Sequence, residues 1–519
     1  MVAILLAWAW VVELVQAFCP PGCTCDDKTP SARCVGGGIN VVPILFNPNL
    51  KRLNMAHNSV SNLGDSLGWL EKLEDLDFSH NLIKILSEGN FEKQENLREL
   101  KLSNNHLTTI SLGAFRGLRK LAILDLSQNT MVELPLGVLD DVPQLTVLNL
   151  SHNRLHILAP DTFKSQRVLQ VLDLCDNYFR HVPTAALEHL TSLQSLHICR
   201  NRLTSLPPLA FPTDSLSRLF LETNSIHTIN EMAFLRLNAL RELNLDGNIL
   251  LEVPSDALAP LATLESLSLS KNRITHIGSG VFNELGNLSI LQISRSPHLT
   301  ELHPDALSGC KNLQNLTLSH NTLLQNLPAG IFSSLENLQN IDLRANGLQV
   351  LEETQVRWRS LKRLDLRENP IVCNCSMKWL AAFLSSSNTS LKVPDVQCAA
   401  PDKLRGLYIS RLVPSEHMCG ERVEVMFSVV IISICFVLLI TLSLMLCRYI
   451  RRQQRAKLGS EWPGGPPIPP RQAQDYRGHM TPAPPSAATA AAPTTRPILV
   501  EDYLYRGNLS FAKVPVTDV

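Results

Sequence analysis

Apolar and polar positions recur along most of this chain in a unit of about 24 residues. "LRELKLSNN" (97–105), "LAILDLSQN" (121–129), "LTVLNLSHN" (145–153) and "LQVLDLCDN" (169–177) share the form L-x-x-L-x-L-x-x-N. The closing asparagine falls at Asn58, Asn81, Asn105, Asn129, Asn153, Asn177, Asn201, Asn224, Asn248, Asn272, Asn321, Asn346 and Asn369, with Ser296 replacing it once. That makes fourteen units in steps of 23 to 25 residues. Inside each, the period-two alternation predicts a short strand with leucines pointing inward and the residues between them outward. The asparagine stands where the chain leaves the strand, placed to satisfy backbone groups that a tight coil would bury. A second row, Phe91, Phe115, Phe163, Phe211, Phe234, Phe282 and Phe332, recurs opposite the strands, with Leu139, Leu187, Leu258 and Leu307 in intervening units. It predicts a core spine.

No such unit buries its apolar face alone, so stacking must supply one continuous core. The pattern is that of a leucine-rich repeat, and it predicts an α/β solenoid over residues 41–370 with short parallel strands on a concave face. Fourteen strands about 4.8 Å apart give a sheet roughly 60 Å along its arc. That is a surface for gripping another macromolecule.

Two apolar stretches set the compartment. Residues 1–17, "MVAILLAWAWVVELVQA", are too short to span a bilayer and end in a small residue, as a cleaved signal peptide does. Residues 425–447 form a 23-residue run without a charge, long enough for one transmembrane helix. Arg448, Arg451, Arg452, Arg455 and Lys457 follow it, which predicts a cytoplasmic carboxyl terminus and an extracellular amino-terminal part. Lysine plus arginine equal aspartate plus glutamate at 47 each, so net charge offers no argument for nucleic acid, and none is expected as a partner. The balance is uneven, because ten basic residues face five acidic ones after Cys447.

An extracellular setting is oxidising, so clustered cysteines there read first as disulfides. Cys19, Cys23, Cys25 and Cys34 lie at one end of the repeats, and Cys373, Cys375, Cys398 and Cys419 at the other. A solenoid needs both ends sealed, which predicts cysteine caps over 18–40 and 371–420. Spacing alone allows three connectivities in each. Over residues 19–420 the chain resembles the extracellular leucine-rich-repeat proteins of animals, most specifically in "NPIVCNCSMKWL" with Cys398 and Cys419. The resemblance implies Cys19–Cys25 and Cys23–Cys34 in the first cap, and Cys373–Cys398 and Cys375–Cys419 in the second. Cys310 holds a leucine-type position and reads as a small buried hydrophobe. Cys175 and Cys199 sit just after the strand cores of adjacent units, where a disulfide and two free thiols both fit.

No nucleophile elbow, phosphate loop or HExxH motif occurs, and neither an enzyme nor a cofactor or metal site is expected. His57, His80, His152 and His320 share the slot before the asparagine, in units too scattered to form a metal cluster. Asp75, Asp77, Glu99, Asp125, Asp173 and Asp176 read as a solvated acidic face. Ile123, Val147 and Val171 hold one outward position in three successive strands, and Phe220 lies two strands beyond on the same face. They form the candidate partner site, against the plainer reading that β-branched residues suit strands. Sequons at Asn149, Asn287, Asn315, Asn374 and Asn388 predict N-glycosylation, least of all at Asn374 between two cap cysteines.

Residues 448–519 are rich in proline, alanine and threonine and predict a disordered cytoplasmic tail. Within it, "PPIPPR" (466–471), with Pro466, Pro469 and Arg471, fits a Src-homology 3 ligand, and the terminal "TDV", with Thr517 and Val519, fits a PDZ groove. The chain is similar to leucine-rich-repeat transmembrane adhesion proteins of neurons and epithelia, including the Tartan and Capricious type of insects. That resemblance implies recognition or adhesion at the plasma membrane through a protein partner, homophilic or heterophilic. The alternative is an innate immune or growth-factor co-receptor without its own signalling domain.

Overall fold

The computed structural model describes residues 19–355, 361–385, 391, 393–412 and 420–458. The expected signal peptide, Asn388, Cys419, and the tail motifs at Pro466, Pro469, Arg471, Thr517 and Val519 lie outside the described residues.

Each unit contributes one three-residue strand, and the fourteen join two cap strands in a single sixteen-stranded sheet. In sheet order these are β1 (Thr24–Asp26), β2 (Ser31–Arg33), β3 (Arg52–Asn54), β4 (Asp75–Asp77), β5 (Glu99–Lys101), β6 (Ile123–Asp125), β7 (Val147–Asn149) and β8 (Val171–Asp173). The series continues with β9 (Ser195–His197), β10 (Arg218–Phe220), β11 (Glu242–Asn244), β12 (Ser266–Ser268), β13 (Ile290–Gln292), β14 (Asn315–Thr317), β15 (Asn340–Asp342) and β16 (Arg363–Asp365). Cap strand β1 runs antiparallel to β2, and β2 pairs parallel with β3, so the cap closes the first edge of the sheet. The repeat strands pair in register, with Leu124 opposite Leu148, Leu148 opposite Leu172 and Leu172 opposite Leu196. A one-residue slip would turn every leucine to solvent.

The inward leucines and the phenylalanine spine form one buried cluster running through all the units. Phe91, Phe115, Phe163, Phe211, Phe234, Phe282 and Phe332 are all buried, as are Leu139, Leu187, Leu258 and Leu307. Phe211 and Phe234 stack with centroids 6.0 Å apart. Each such side chain contributes about 1.5–3 kcal/mol by leaving water. Away from the sheet the coils form two-residue strand pairs, such as Ile85–Leu86 with Thr109–Ile110, and short helical turns, such as Pro160–Phe163, Thr184–Leu187 and Ser255–Leu258.

The asparagines tie one coil to the next. Asn177 Nδ2 donates to Leu174 O in its own coil at 3.2 Å and to Leu150 O in the preceding coil at 3.0 Å. Its Oδ1 accepts from Leu155 N, also in the preceding coil, at 2.9 Å. The residue before the asparagine is left-handed in all fourteen units, with φ between 48° and 64°, and only Gly247 among them is a glycine. The left-handed turn swings the asparagine back over the strand it has just left. Histidine, asparagine and aspartate tolerate that conformation better than most residues, which accounts for His57, His80, Asn104, His152, Asp176 and His320 in this slot.

At the ends, Cys19 is bonded to Cys25, Cys23 to Cys34, and Cys373 to Cys398. Cys375 is also in a disulfide. A bond joins Cys175 to Cys199 across adjacent coils, so the two thiols left open by the sequence are paired. Cys310 is buried and free, and burial pushes its thiol up to about 12. In the second cap the helix Lys378–Ser385 places Trp379 where Nε1 donates to Leu351 O of the last coils at 3.2 Å.

A 39-residue helix, Gly420–Leu458, includes the apolar run at 425–447. Among the described residues it is the one helix long and apolar enough to cross a membrane.

Candidate functional site

The outward positions of the sheet form two rows, one from the first and one from the third residue of each strand. In the first row Ile123, Val147 and Val171 are direct neighbours in register. All three are half-buried rather than exposed, because side chains on strands about 4.8 Å apart cover one another. Arg52, Asp75 and Glu99 precede them in the same row, and the aliphatic run ends at Ser195, which is buried.

Phe220 belongs to the third-residue row. Its neighbour there is His197, and the two rings stack at 4.4 Å with 27° between their planes. His197 Nε2 lies 2.9 Å from Ser195 Oγ, which fixes the ring over the end of the aliphatic run. Burial holds the His197 imidazole below its ordinary range, while the Asp173 carboxylate pulls the other way. The sequence therefore placed Ile123, Val147, Val171 and Phe220 on one face, and the structure sets them in two different rows that His197 connects.

The third-residue row also carries a structural duty that the sequence reading missed. Asn54, Asp77, Asp125, Asn149, Asp173, Asn244, Asp342 and Asp365 each accept, through Oδ1, the backbone N–H two residues further on. These side chains cap the turn out of the strand. The recurrence of Asp or Asn four residues before the closing asparagine was the available signal. Much of the acidic face is thus engaged locally, and Asp176 likewise meets Arg200 at 2.6 Å and His152 at 3.3 Å.

One slot further along, a column of mostly small residues holds Cys175 and Cys199 and then Glu222 and Asp246. Burial raises the Glu222 carboxyl above its ordinary range, with Arg200 opposing and Asp246 and Asp173 adding to the rise. Burial raises Asp246 as well, against hydrogen bonds from Ser268 Oγ and Ser270 N. Glu222 Oε2 is buried without a hydrogen-bond partner.

At the amino-terminal end of the face, β1 to β5 line a cleft of about 440 Å³ bearing Arg33, Arg52, Asp75, Asp77, Glu99 and Lys101. Burial and the neighbouring Glu99 raise the Asp75 carboxyl. Among the described residues no group of three or more histidine, cysteine or acidic side chains is arranged to hold a metal ion.

Of the sequons, Asn149 and Asn315 face out of strands β7 and β14, both half-buried. Asn315 Oδ1 accepts from Asn340 Nδ2 at 2.6 Å. Asn287 is exposed and its Nδ2 donates to Ala262 O at 2.9 Å, while Asn374 caps Ser376 N at 3.0 Å.

A parallel solenoid with a through-going asparagine ladder, capped by disulfides and carrying one outward apolar face, defines a class of repeat scaffold. The leucine rich repeat family profile matches residues 48–107, 95–155, 143–198, 191–250 and 262–323, more than half of the chain. The chain belongs to the leucine-rich-repeat family. Over 104 residues it is 31% identical to mouse leucine-rich repeat, immunoglobulin-like domain and transmembrane domain-containing protein 2, covering 19% of either chain. Over 116 residues it is 31% identical to human reticulon-4 receptor-like 2, covering 22% of this chain and 27% of that protein. The chain thus spans about a fifth to a quarter of the length of these relatives. The structure of the Drosophila Toll–Spatzle complex is similar with a TM-score of 0.58 at 23% identity, over 71% of this chain and 57% of that one, a likeness of fold.

Proposed function

We propose that this chain is a non-enzymatic cell-surface recognition protein, anchored by the helix Gly420–Leu458 with its repeats outside the cell. The observation that carries this reading is the face of β6 to β10. There an aliphatic run and the His197–Phe220 pair in the neighbouring row present half-open apolar surface on one face of the sheet. Apolar surface of this kind, ringed by polar groups, is the makeup of a protein-binding patch. The basic residues from Arg448 onward support a cytoplasmic carboxyl end. The relatives' names supply the class, one a receptor-like protein and one a transmembrane protein.

In this reading the partner is an extracellular or cell-surface protein, engaged in adhesion or target recognition of the kind seen in the Tartan and Capricious type. The tail recruits cytoplasmic scaffolds, a PDZ domain through Thr517 and Val519 and a Src-homology 3 domain through Pro466, Pro469 and Arg471. Asn287, Asn315 and Asn388 carry glycans, and Cys375 pairs with Cys419 in the second cap.

Mixing cells that express the full chain with cells that do not tests the reading. Capture or aggregation is expected, and Phe220→Asp should reduce it at least about tenfold at unchanged surface level, since an anchoring aromatic residue is worth about 2 kcal/mol or more. Capture that survives Phe220→Asp removes this face from the proposal.

A further inference from the structure

Asn149 and Val147 leave β7 on the same side, two residues apart, and Val147 is the middle member of the aliphatic run. Asn149 Oδ1 is committed to the turn, accepting from Ser151 N at 3.0 Å and Ser151 Oγ at 2.7 Å. The amide nitrogen Nδ2 is the atom a sugar would occupy, and capping does not use it. The same side chain can therefore cap the strand and carry a glycan at once. Asp125 and Asp173 do the identical capping in the flanking strands with no nitrogen to modify.

We infer that Asn149 carries an N-linked glycan standing over the middle of the aliphatic run, leaving the His197–Phe220 pair as the open apolar contact of the face. A glycan is bulky and hydrated, and it stands beside Ile123, Val147 and Val171 on neighbouring strands. Phe220 lies three strands away, roughly 14 Å at sheet spacing. The inference rests on the extracellular placement proposed above. It deepens that reading by separating the anchor of the partner site from a masked flank.

The test uses the full chain expressed in secretory cells. The tryptic peptide 121–154 contains Asn149 as its one sequon, so its mass before and after enzymatic deglycosylation reports occupancy. A sugar on most copies is expected. A bare Asn149 beside glycosylated Asn287 and Asn315 overturns the inference alone, whereas bare sequons throughout overturn the extracellular reading as well.

Masking is then read by labelling Val147→Cys with a large, membrane-impermeant polyethylene-glycol maleimide. Combining it with Asn149→Asp, which keeps the cap, should speed labelling about tenfold by removing the bulky sugar. Ser151→Ala, which breaks the sequon differently, should do the same. Phe220→Cys should label at rates that change far less. Equal rates at Val147→Cys with and without the sequon overturn the masking. In the cell-mixing assay, Val147→Asp should matter only once Asn149→Asp is present. If Val147→Asp and Phe220→Asp weaken capture alike in the glycosylated chain, the partner face stands and the masked flank falls.

Discussion

The coils up to Asn272 and those from Ser296 onward follow the same leucine pattern but are tied together differently. In the earlier part, each asparagine accepts from the residue two beyond the asparagine before it, as Asn272 Oδ1 does from Leu250 N at 3.1 Å. For the two rungs after Ser296 the contact moves to the rung itself, with Asn321 Oδ1 accepting from Ser296 N at 2.9 Å and Asn346 Oδ1 from Asn321 N at 2.7 Å, while Asn369 Oδ1 accepts from both Asn346 N at 3.2 Å and Leu348 N at 3.3 Å. Ser296 is buried, and its Oγ has no hydrogen-bond partner. One lost asparagine, together with steps of 25 residues, shifts the bonding of the next two rungs, and the 23-residue step to Asn369 restores it in part. The ladder is therefore a relay in which each rung depends on its neighbours.

The largest expected effect breaks a rung in the regular part. Asn177→Ala removes bonds to Leu150 O, Leu174 O and Leu155 N and leaves buried backbone groups unmet. It should cost about 2–4 kcal/mol of stability, measured by chemical unfolding of the detergent-solubilised chain. Ser296→Ala, by contrast, removes a hydroxyl that bonds nothing and should stay within about 0.5 kcal/mol of the parent. Equal losses at the two positions would erase the distinction between the two parts.

A smaller effect concerns the left-handed slot. Thr223 is β-branched and held at φ 58°, a conformation that costs such a residue about 1–2 kcal/mol. Thr223→Gly should raise the unfolding midpoint by an amount matching about 1 kcal/mol, with Ala345→Gly in the later coils gaining somewhat less. No gain at either would mean that the surrounding bonds, rather than backbone preference, set this turn.

The smallest effect is on pH. Glu222 and Asp246 are raised in the folded chain, so folding favours their protonated forms. Their contribution is fully present below the ordinary carboxylate range and is lost as pH rises through their elevated folded values. The double variant Glu222→Gln with Asp246→Asn should flatten that decline between mildly acidic and neutral pH, as followed by thermal unfolding at a series of pH values. The coils that follow carry no carboxylate at the matching position, which holds Ser270, Ser294, Ser319, Arg344 and Arg367.

The period of the leucines made the solenoid legible, because a 24-residue repeat with one inward stripe has few other ways to bury itself. The phenylalanine spine followed from the same period. The outward rows were harder to read. Sequence spacing shows that Phe220 shares a face with Val147, and counting back from the closing asparagine puts it in the other row, but its partner His197 is not apolar. The capping duty of Asp77 and Asp173 was hidden for a different reason. An outward carboxylate looks solvated until the turn behind it is seen to offer its N–H. Cys175 and Cys199 were at the right spacing for a bond, but spacing of adjacent coils suits free thiols equally well.

The left-handed slot gives this molecule a further property. Its constraint falls on the backbone, so the side chain it carries has to tolerate the left-handed turn but varies widely from coil to coil. Fourteen such positions stand in line, one per coil, and they already hold a stacked imidazole pair at His57 and His80 and a run of contacts from His152 through Asp176 to Arg200. They form a graduated scale along one edge of the sheet. Labels or charges written onto it would sit at fixed intervals of about one strand spacing, with the core left undisturbed.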